Sequence, residues 1–275
     1  MAIRLGANQY GKAENRVVRV YRDTPRHELR DLNVSTSLRG RFEDAHVAGD
    51  QKDVLPTDTQ KNTAFAFAKE KGVGAIEDYA LTLGWHFVDV SPAIQCARVE
   101  VEEYPWERIG DHSFVRAGGG VRTTVVEVGD DGASVVSGVK DLVVMNTTGS
   151  EFHGFLRDEY TTLEDTHDRI LATSLEATWE YVGVDNDWDS LFASVKRICL
   201  EQFVGIHSLA LQQTLYGMGK AVLEAHDEVR QISFKAPNKH HFLVDLSPFG
   251  AENNGEVFIA ADRPYGLIEA TVVRD

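Results

Sequence analysis

Five short polar segments carry most of the side chains in this sequence that could handle a small ligand. Tyr10-Gly11-Lys12 offers an amine. Leu55-Pro56-Thr57-Asp58-Thr59-Gln60-Lys61-Asn62-Thr63 sets hydroxyls and a carboxylate where a helix opens. Phe152-His153-Gly154-Phe155-Leu156-Arg157-Asp158-Glu159-Tyr160-Thr161-Thr162-Leu163 leads on to Asp168-Arg169. Ser208-Leu209-Ala210-Leu211-Gln212-Gln213-Thr214 supplies amides, and Pro237-Asn238-Lys239-His240-His241-Phe242 an amide and two imidazoles. These groups move protons and form hydrogen bonds.

The common metal, cofactor and nucleophile signatures are absent. There is no H-E-x-x-H and no zinc-type Cys/His spacing. On a strand, His240 and His241 would point to opposite faces and could not share a metal. His27, His46, His86, His153, His207 and His226 are scattered without ligand spacing, so no metal site is expected. Gly118-Gly119-Gly120 lacks a following Lys-Ser/Thr, and neither a dinucleotide-type glycine motif nor a G-x-S-x-G elbow occurs.

The elements that must position the polar segments can be read from periodicity. Arg16–Tyr21 and His27–Leu38 alternate and read as a long hairpin, with Tyr10-Gly11-Lys12 ahead of it. Thr57 and Asp58 are N-cap candidates for a helix that closes on Lys69-Glu70-Lys71-Gly72. Ile76–Val88 has Ile76, Tyr79, Leu83 and Phe87 at helical spacing. Ala97–Glu103 and Phe114–Val128 read as strands, the second interrupted by three glycines. The order then repeats. Ser134–Thr147 and Ile170–Val182 are strands, Trp188–Phe203 and Ser208–Glu224 are helices, and Val229–Leu246 and Glu256–Val273 hold the last strands. Two successive ββααββ blocks, 1–131 and 132–275, follow. Sliding the halves against each other places Thr57 over Ser208, each on a helix start. Hairpin-linked strands imply antiparallel sheets with helices on one face, an α+β arrangement. Joining sheet edges between subunits would close a barrel and remove exposed edges, which is a physical reason to expect oligomers.

Bulk composition narrows the classes. The chain has 275 residues, 43% apolar, with 43 acidic residues against 28 Lys plus Arg and a formal charge of −15. That balance disfavours a nucleic-acid or anionic-membrane surface. An anionic substrate has to be captured by local Arg or Lys against the overall field. Cys96 and Cys199 lie in no C-x-x-C motif and fit a reducing compartment. No signal peptide is visible, no apolar run approaches the roughly 20 residues that span a bilayer, and the final Thr-Val-Val-Arg-Asp is not a Ser-Lys-Leu peroxisomal address. The expected location is a bacterial cytoplasm.

Taken together and in order, the five segments resemble the uricase (urate oxidase) family, of bacterial type, from about Asn8 to the C-terminus. The Thr-Asp-Thr-Gln-Lys-Asn-Thr, Phe-His-Gly-Phe…Asp-Glu-Tyr-Thr-Thr-Leu and Asn-Lys-His-His-Phe segments are the specific ones. The resemblance implies the tunnelling fold, with two ββααββ units per chain and a homotetramer whose sites lie between subunits. It implies oxidation of urate by O2 and water to 5-hydroxyisourate and hydrogen peroxide, without metal or flavin. Lys12 matches the family's catalytic lysine, Thr57 its partner threonine and His240 the histidine of the proton relay. Arg169 and Gln212 match the clamp on the purine, Phe152 the stacking ring, and Asn238 the residue that holds oxygen or water above it. Asp58 and Leu211 match positions whose backbone groups contact substrate. By the same resemblance, Lys12 and Thr57 come from one subunit, and Phe152, Arg169 and Gln212 from its neighbour.

The residue types suit that chemistry. Arg offers a rigid donor fork to a carbonyl and a ring nitrogen. A Gln amide donates and accepts at the opposite edge, and stacking on Phe fixes the plane. A lysine amine could take the proton that urate loses before it reduces dioxygen, with a threonine hydroxyl as relay. Taken singly, each residue has an ordinary reading: Lys12 as a solvated turn lysine, Thr57 and Asp58 as caps, Phe152 as core, His240 as a strand histidine. One departure from the family pattern is Gly110-Asp111-His112-Ser113-Phe114, which keeps a single His where His-x-His is common. Two other functions remain open at this point. One is a pterin or purine enzyme of the same fold, which would need a zinc site; the other is a non-catalytic purine-binding oligomer.

Overall fold

A computed structural model describes residues 3–275. The chain falls into two compact units. The first holds the residues up to Gly138 together with Glu180–Phe192, and the second holds Val139–Trp179 together with Ala193–Asp275.

The first unit runs β1 (Tyr10–Tyr21), β2 (Glu28–Gly40), a short α1 (Glu43–Val47), α2 (Thr57–Glu70), α3 (Ile76–Val90), β3 (Ile94–Glu103), a two-stranded flap of β4 (Trp106–Arg108) and β5 (Phe114–Arg116), and β6 (Val121–Gly129). Its sheet is antiparallel in the order β1-β2-β3-β6. Alternation decides which face is buried. Leu32, Val34, Thr36 and Leu38 of β2, Ala97, Val99 and Val101 of β3, and Val126 and Val128 of β6 all point into the core. Ile76, Ala80, Leu83 and Phe87 of α3 cover them. Each fully buried large side chain contributes roughly 1.5–3 kcal/mol. Gly84 permits this close approach, because a Cβ there would lie 2.7 Å from a Val128 methyl.

One charge is buried with these apolar groups. Glu77 on α3 is fully buried, and its carboxylate accepts from Arg122 Nη2 at 2.7 Å and from the Ser137 hydroxyl at 2.5 Å. Arg122 Nη1 donates to Asp189 at 2.5 Å. Burial pushes the Glu77 carboxyl up, and the Arg122 charge opposes that.

The second unit holds β7 (Gly132–Asn146) from Val139 on, β8 (Leu171–Tyr181) as far as Trp179, α4 (Trp188–Gly205) from Ala193 on, α5 (Leu211–Ala225), β9 (Val229–Pro237), β10 (His241–Leu243), β11 (Phe258–Ala260) and β12 (Leu267–Val273). Its main strands are ordered β7-β8-β9-β12, and β10 and β11 form a separate antiparallel pair. Leu171, Leu175, Ala177 and Trp179 alternate inward on β8, and Ile232, Phe234 and Ala236 do so on β9. Leu211, Leu215, Met218 and Val222 of α5 pack on this face. Cys199 of α4 is 3% exposed, and burial pushes its thiol up to about 12.

The mixed α+β, antiparallel reading holds, with three local corrections. First, β1 begins at Tyr10, so Tyr10-Gly11-Lys12 lies inside the strand. A bulge between Lys12 and Asn15, with Glu14 at φ 56°, had broken the alternation that marks a strand in sequence. Second, Thr57 and Asp58 are not caps. Pro56 occupies that position, with no side-chain cap, and Thr57 is the first helical residue. Third, Ala210 is extended at φ −162° and ψ 148°, so the later helix begins at Leu211. The two helix starts therefore pair Thr57 with Leu211, not with Ser208.

Candidate active site

The first unit gathers Lys12, Thr57 and Asp58. Lys12 stands directly opposite Thr36 in the β1–β2 pairing, on the helix-covered face. Its backbone N–H points at Thr36 Oγ1 at 3.4 Å. Thr36 donates to the Gln60 side-chain oxygen at 2.7 Å, and Gln60 is fully buried on α2. The Tyr10 hydroxyl accepts from the Leu55 N–H at 2.9 Å, and its ring packs edge-on against Phe42 at 4.9 Å. These two ties pin the start of α2 to the strand end that carries the amine. Thr57 and Asp58 occupy the first turn, whose N–H groups have no intrahelical acceptor and favour an anion. Lys61 holds the Asp58 carboxyl below the usual range, with Asn62 and Lys12 adding to the effect.

The second unit gathers Phe152, Arg169, Leu211 and Gln212 around a short ribbon. Phe152 and Thr166 exchange both backbone hydrogen bonds, at 2.8 and 2.9 Å. Arg169 N–H donates to Ser150 O at 2.9 Å, and on the other side Glu151 N–H donates to Ser208 O at 2.7 Å. The Arg169 guanidinium carbon stands 5.1 Å from the Phe152 ring centre, a cation–π contact. Among the described residues, no carboxylate pairs with this guanidinium. It is half-buried, and burial lowers its pKa. Thr214 donates to the Ser208 hydroxyl at 2.9 Å, both side chains being buried. That bond joins the ribbon to the first turn of α5, where Leu211 is buried and Gln212 exposed.

Asn238 and His240 follow the end of β9. Asn238 N–H donates to Gly266 O at 2.8 Å and Lys239 N–H to Ala172 O at 2.8 Å, while His240 O accepts from Ala261 at 2.9 Å. The His240 ring lies 5.8 Å from Phe242, nearly parallel to it. Sequence reasoning gave no individual role to Thr36, Gln60, Ser208 or Thr214, whose work is positional. It also missed that Glu151, His153, His167 and His207 converge. The signal was Glu-x-His on an extended segment, where alternate residues share a side.

Each sheet also presents a polar face. In the first unit it includes Asn33, Ser35, Glu100, Glu102 and Thr123, and in the second Glu176, Thr178, Ser233, Lys235, Glu269 and Thr271. No helix among the described residues is long and apolar enough to cross a membrane.

The uricase family model matches residues 8–127 and 135–269. A uricase of Arthrobacter globiformis is 53% identical over 273 residues, covering 98% of this chain and 90% of that protein. A uricase of Dictyostelium discoideum is 36% identical, covering 97% of this chain and 96% of its own. The crystal structure of the Arthrobacter globiformis uricase superimposes with a TM-score of 0.97 at 52% identity, covering 100% of this chain and 96% of that one.

Proposed function

This chain belongs to the uricase family, and from that premise we propose that it oxidises urate with dioxygen and water to 5-hydroxyisourate and hydrogen peroxide in purine degradation. The observation that carries the reading is Arg169. A half-buried guanidinium with no carboxylate partner among the described residues, set against an aromatic ring, in a chain of net charge −15, is suited to receive a flat anion.

Phe152 stacks on the purine while Arg169 and Gln212 grip its two edges. The backbone groups of Thr57, Asp58 and Leu211 complete the contacts. Lys12 accepts a proton from bound urate, with Thr57 and His240 relaying it. The electron-rich dianion then gives two electrons to dioxygen held near Asn238. The reduced oxygen leaves with two protons as peroxide, and water adds to the oxidised purine. The ring system of urate is itself the reductant, so the reaction calls for neither metal nor flavin. Positioning and pre-arranged hydrogen bonds supply the acceleration.

Lys12, Thr57 and Asp58 belong to the first unit, and Phe152, Arg169, Leu211, Gln212, Asn238 and His240 to the second. We assign completion of each site to a neighbouring copy in a homotetramer. The polar sheet faces support this arrangement, because they suit the lining of a tunnel when sheet edges join into tunnelling-fold barrels. A cytoplasmic location in a bacterium fits the two unpaired cysteines.

The test is Lys12→Met. Chelator-treated parent protein should consume urate and release peroxide in equal amounts without added cofactor. The variant should lose turnover by about a hundredfold or more while binding urate anaerobically within a few-fold of the parent. Turnover near the parent's would refute the assignment of Lys12 as base.

A further inference from the structure

The ribbon that presents Phe152 has a second face. Phe152 and Thr166 are a directly opposed antiparallel pair, so their neighbours, Glu151 with His167 and His153 with Asp165, project to the other side. There the Glu151 Oε2 atom lies 2.9 Å from His153 Nε2 and 3.6 Å from His167 Nδ1. The three donor atoms all fall within 4.8 Å of one another, and the two imidazole rings are 4.6 Å apart. His207, beside the single bridge that Ser208 makes with Ser150 on the ribbon's other flank, reaches the second oxygen, Oε1, at 2.5 Å. Asp165 is turned away to Gly154 and Arg157.

We propose that Glu151, His153 and His167 form a binding site for a divalent transition metal ion of the zinc, cobalt or nickel class, with His207 orienting the carboxylate from behind.

Two imidazoles and one carboxylate are the donor set that zinc and its neighbours favour over magnesium and calcium. In a tetrahedral site with metal–ligand bonds near 2 Å, donor atoms stand about 3.3 Å apart. The Glu151–His153 and Glu151–His167 separations bracket that value, and the imidazoles are free to turn, their side chains being 41% and 75% exposed. Glu151 is the shielded member at 19%. The outer positions stay open to water. A carboxylate bonded from behind by an imidazole is the kind of outer support that fixes a metal ligand. This site stands apart from the urate chemistry, and its test does not depend on turnover.

The experiment titrates the chelator-treated full-length protein with cobalt(II) and zinc(II) at neutral pH, following the cobalt visible spectrum and the heat of zinc binding. One equivalent per chain is expected, undisturbed by excess magnesium. His153→Gln/His167→Gln should abolish stoichiometric binding. His167→Gln alone, at a largely exposed position, should weaken it at least about tenfold. His226→Gln, at a residue engaged with Ser194, should leave binding at the parent's level. Absence of an equivalent in the parent, or unchanged affinity in the double variant, would overturn the proposal.

Discussion

Replacing Arg169 by Ala should separate binding from stability with opposite signs. The guanidinium is half-buried, has no carboxylate partner among the described residues and sits over the Phe152 ring. Its fork is then free to make two charge-assisted hydrogen bonds to urate. Each such bond contributes about 1.5–3 kcal/mol, and partial exposure trims the pair to about 2–4 kcal/mol. At 1.4 kcal/mol per tenfold, Arg169→Ala should weaken urate binding about 30- to 700-fold. Arg169→Lys keeps the charge, loses the fork and should fall between. The unfolding free energy should not drop, and should rise by up to about 1 kcal/mol, because a half-buried cation held by a long Nε–H bond to Ser150 Oγ at 3.4 Å has been removed. Anaerobic equilibrium dialysis of urate gives the affinity, and urea unfolding of the same samples gives the stability. Arg157→Ala, which breaks an exposed pair with Asp165 on the same loop, controls for disturbance of that loop. Unchanged urate affinity in Arg169→Ala would refute the reasoning. A loss of stability matching the loss of binding would make Arg169 a structural pillar.

Two further perturbations test how the site is held. Arg122→Met strands the buried Glu77 carboxylate and should cost about 3–5 kcal/mol of stability near neutral pH. Burial already raises the folded-state pKa of Glu77, so folding is favoured below that pKa and this share of stability is lost as pH rises through it. The loss in Arg122→Met should therefore be smaller at pH 5 than at pH 8, which urea midpoints at the two values would check. Gly11→Ala should disrupt the strand end beside Lys12, since a Cβ there would lie 1.7 Å from the Thr36 carbonyl oxygen. Its turnover should collapse with Lys12 intact, whereas normal turnover would mean that the β1 end shifts freely.

Much of the architecture was legible because the apolar pattern is locally consistent. The Ile76 helix, the strand regions after Val229 and Glu256, and the antiparallel α+β class all follow from periodicity. The failures have local physical causes. Tyr10 to Lys12 was read as lying outside the strand because the bulge at Glu14 breaks alternation. Thr57 was read as a cap because Ser, Thr and Asp favour that position; Pro56, with its fixed φ, took it instead. Of the site, Lys12, Arg169 and Gln212 were found by resemblance, since none has an isolated signature. The Glu151 cluster escaped because Glu-x-His covers only two of its members; the bridge between Phe152 and Thr166 brings in His167 and the bridge between Ser150 and Ser208 brings in His207, separations that no linear spacing encodes.

The bulge in β1 also has a consequence for tolerance of length. Upstream of it Tyr10 and Lys12 face the helices, and downstream Asn15 and Val17 do, so the extra residue lets both stretches share one side. Ala13 and Glu14, which supply the excess, are exposed. The strand thus carries slack beside its most consequential amine. Loss of one residue at the bulge converts it to regular pairing and leaves Lys12 opposite Thr36, and gain of one residue enlarges a loop that already bows outward. The position of the lysine is buffered against the commonest length accidents, whereas the tightly paired stretch from Val17 to Tyr21 has no such reserve.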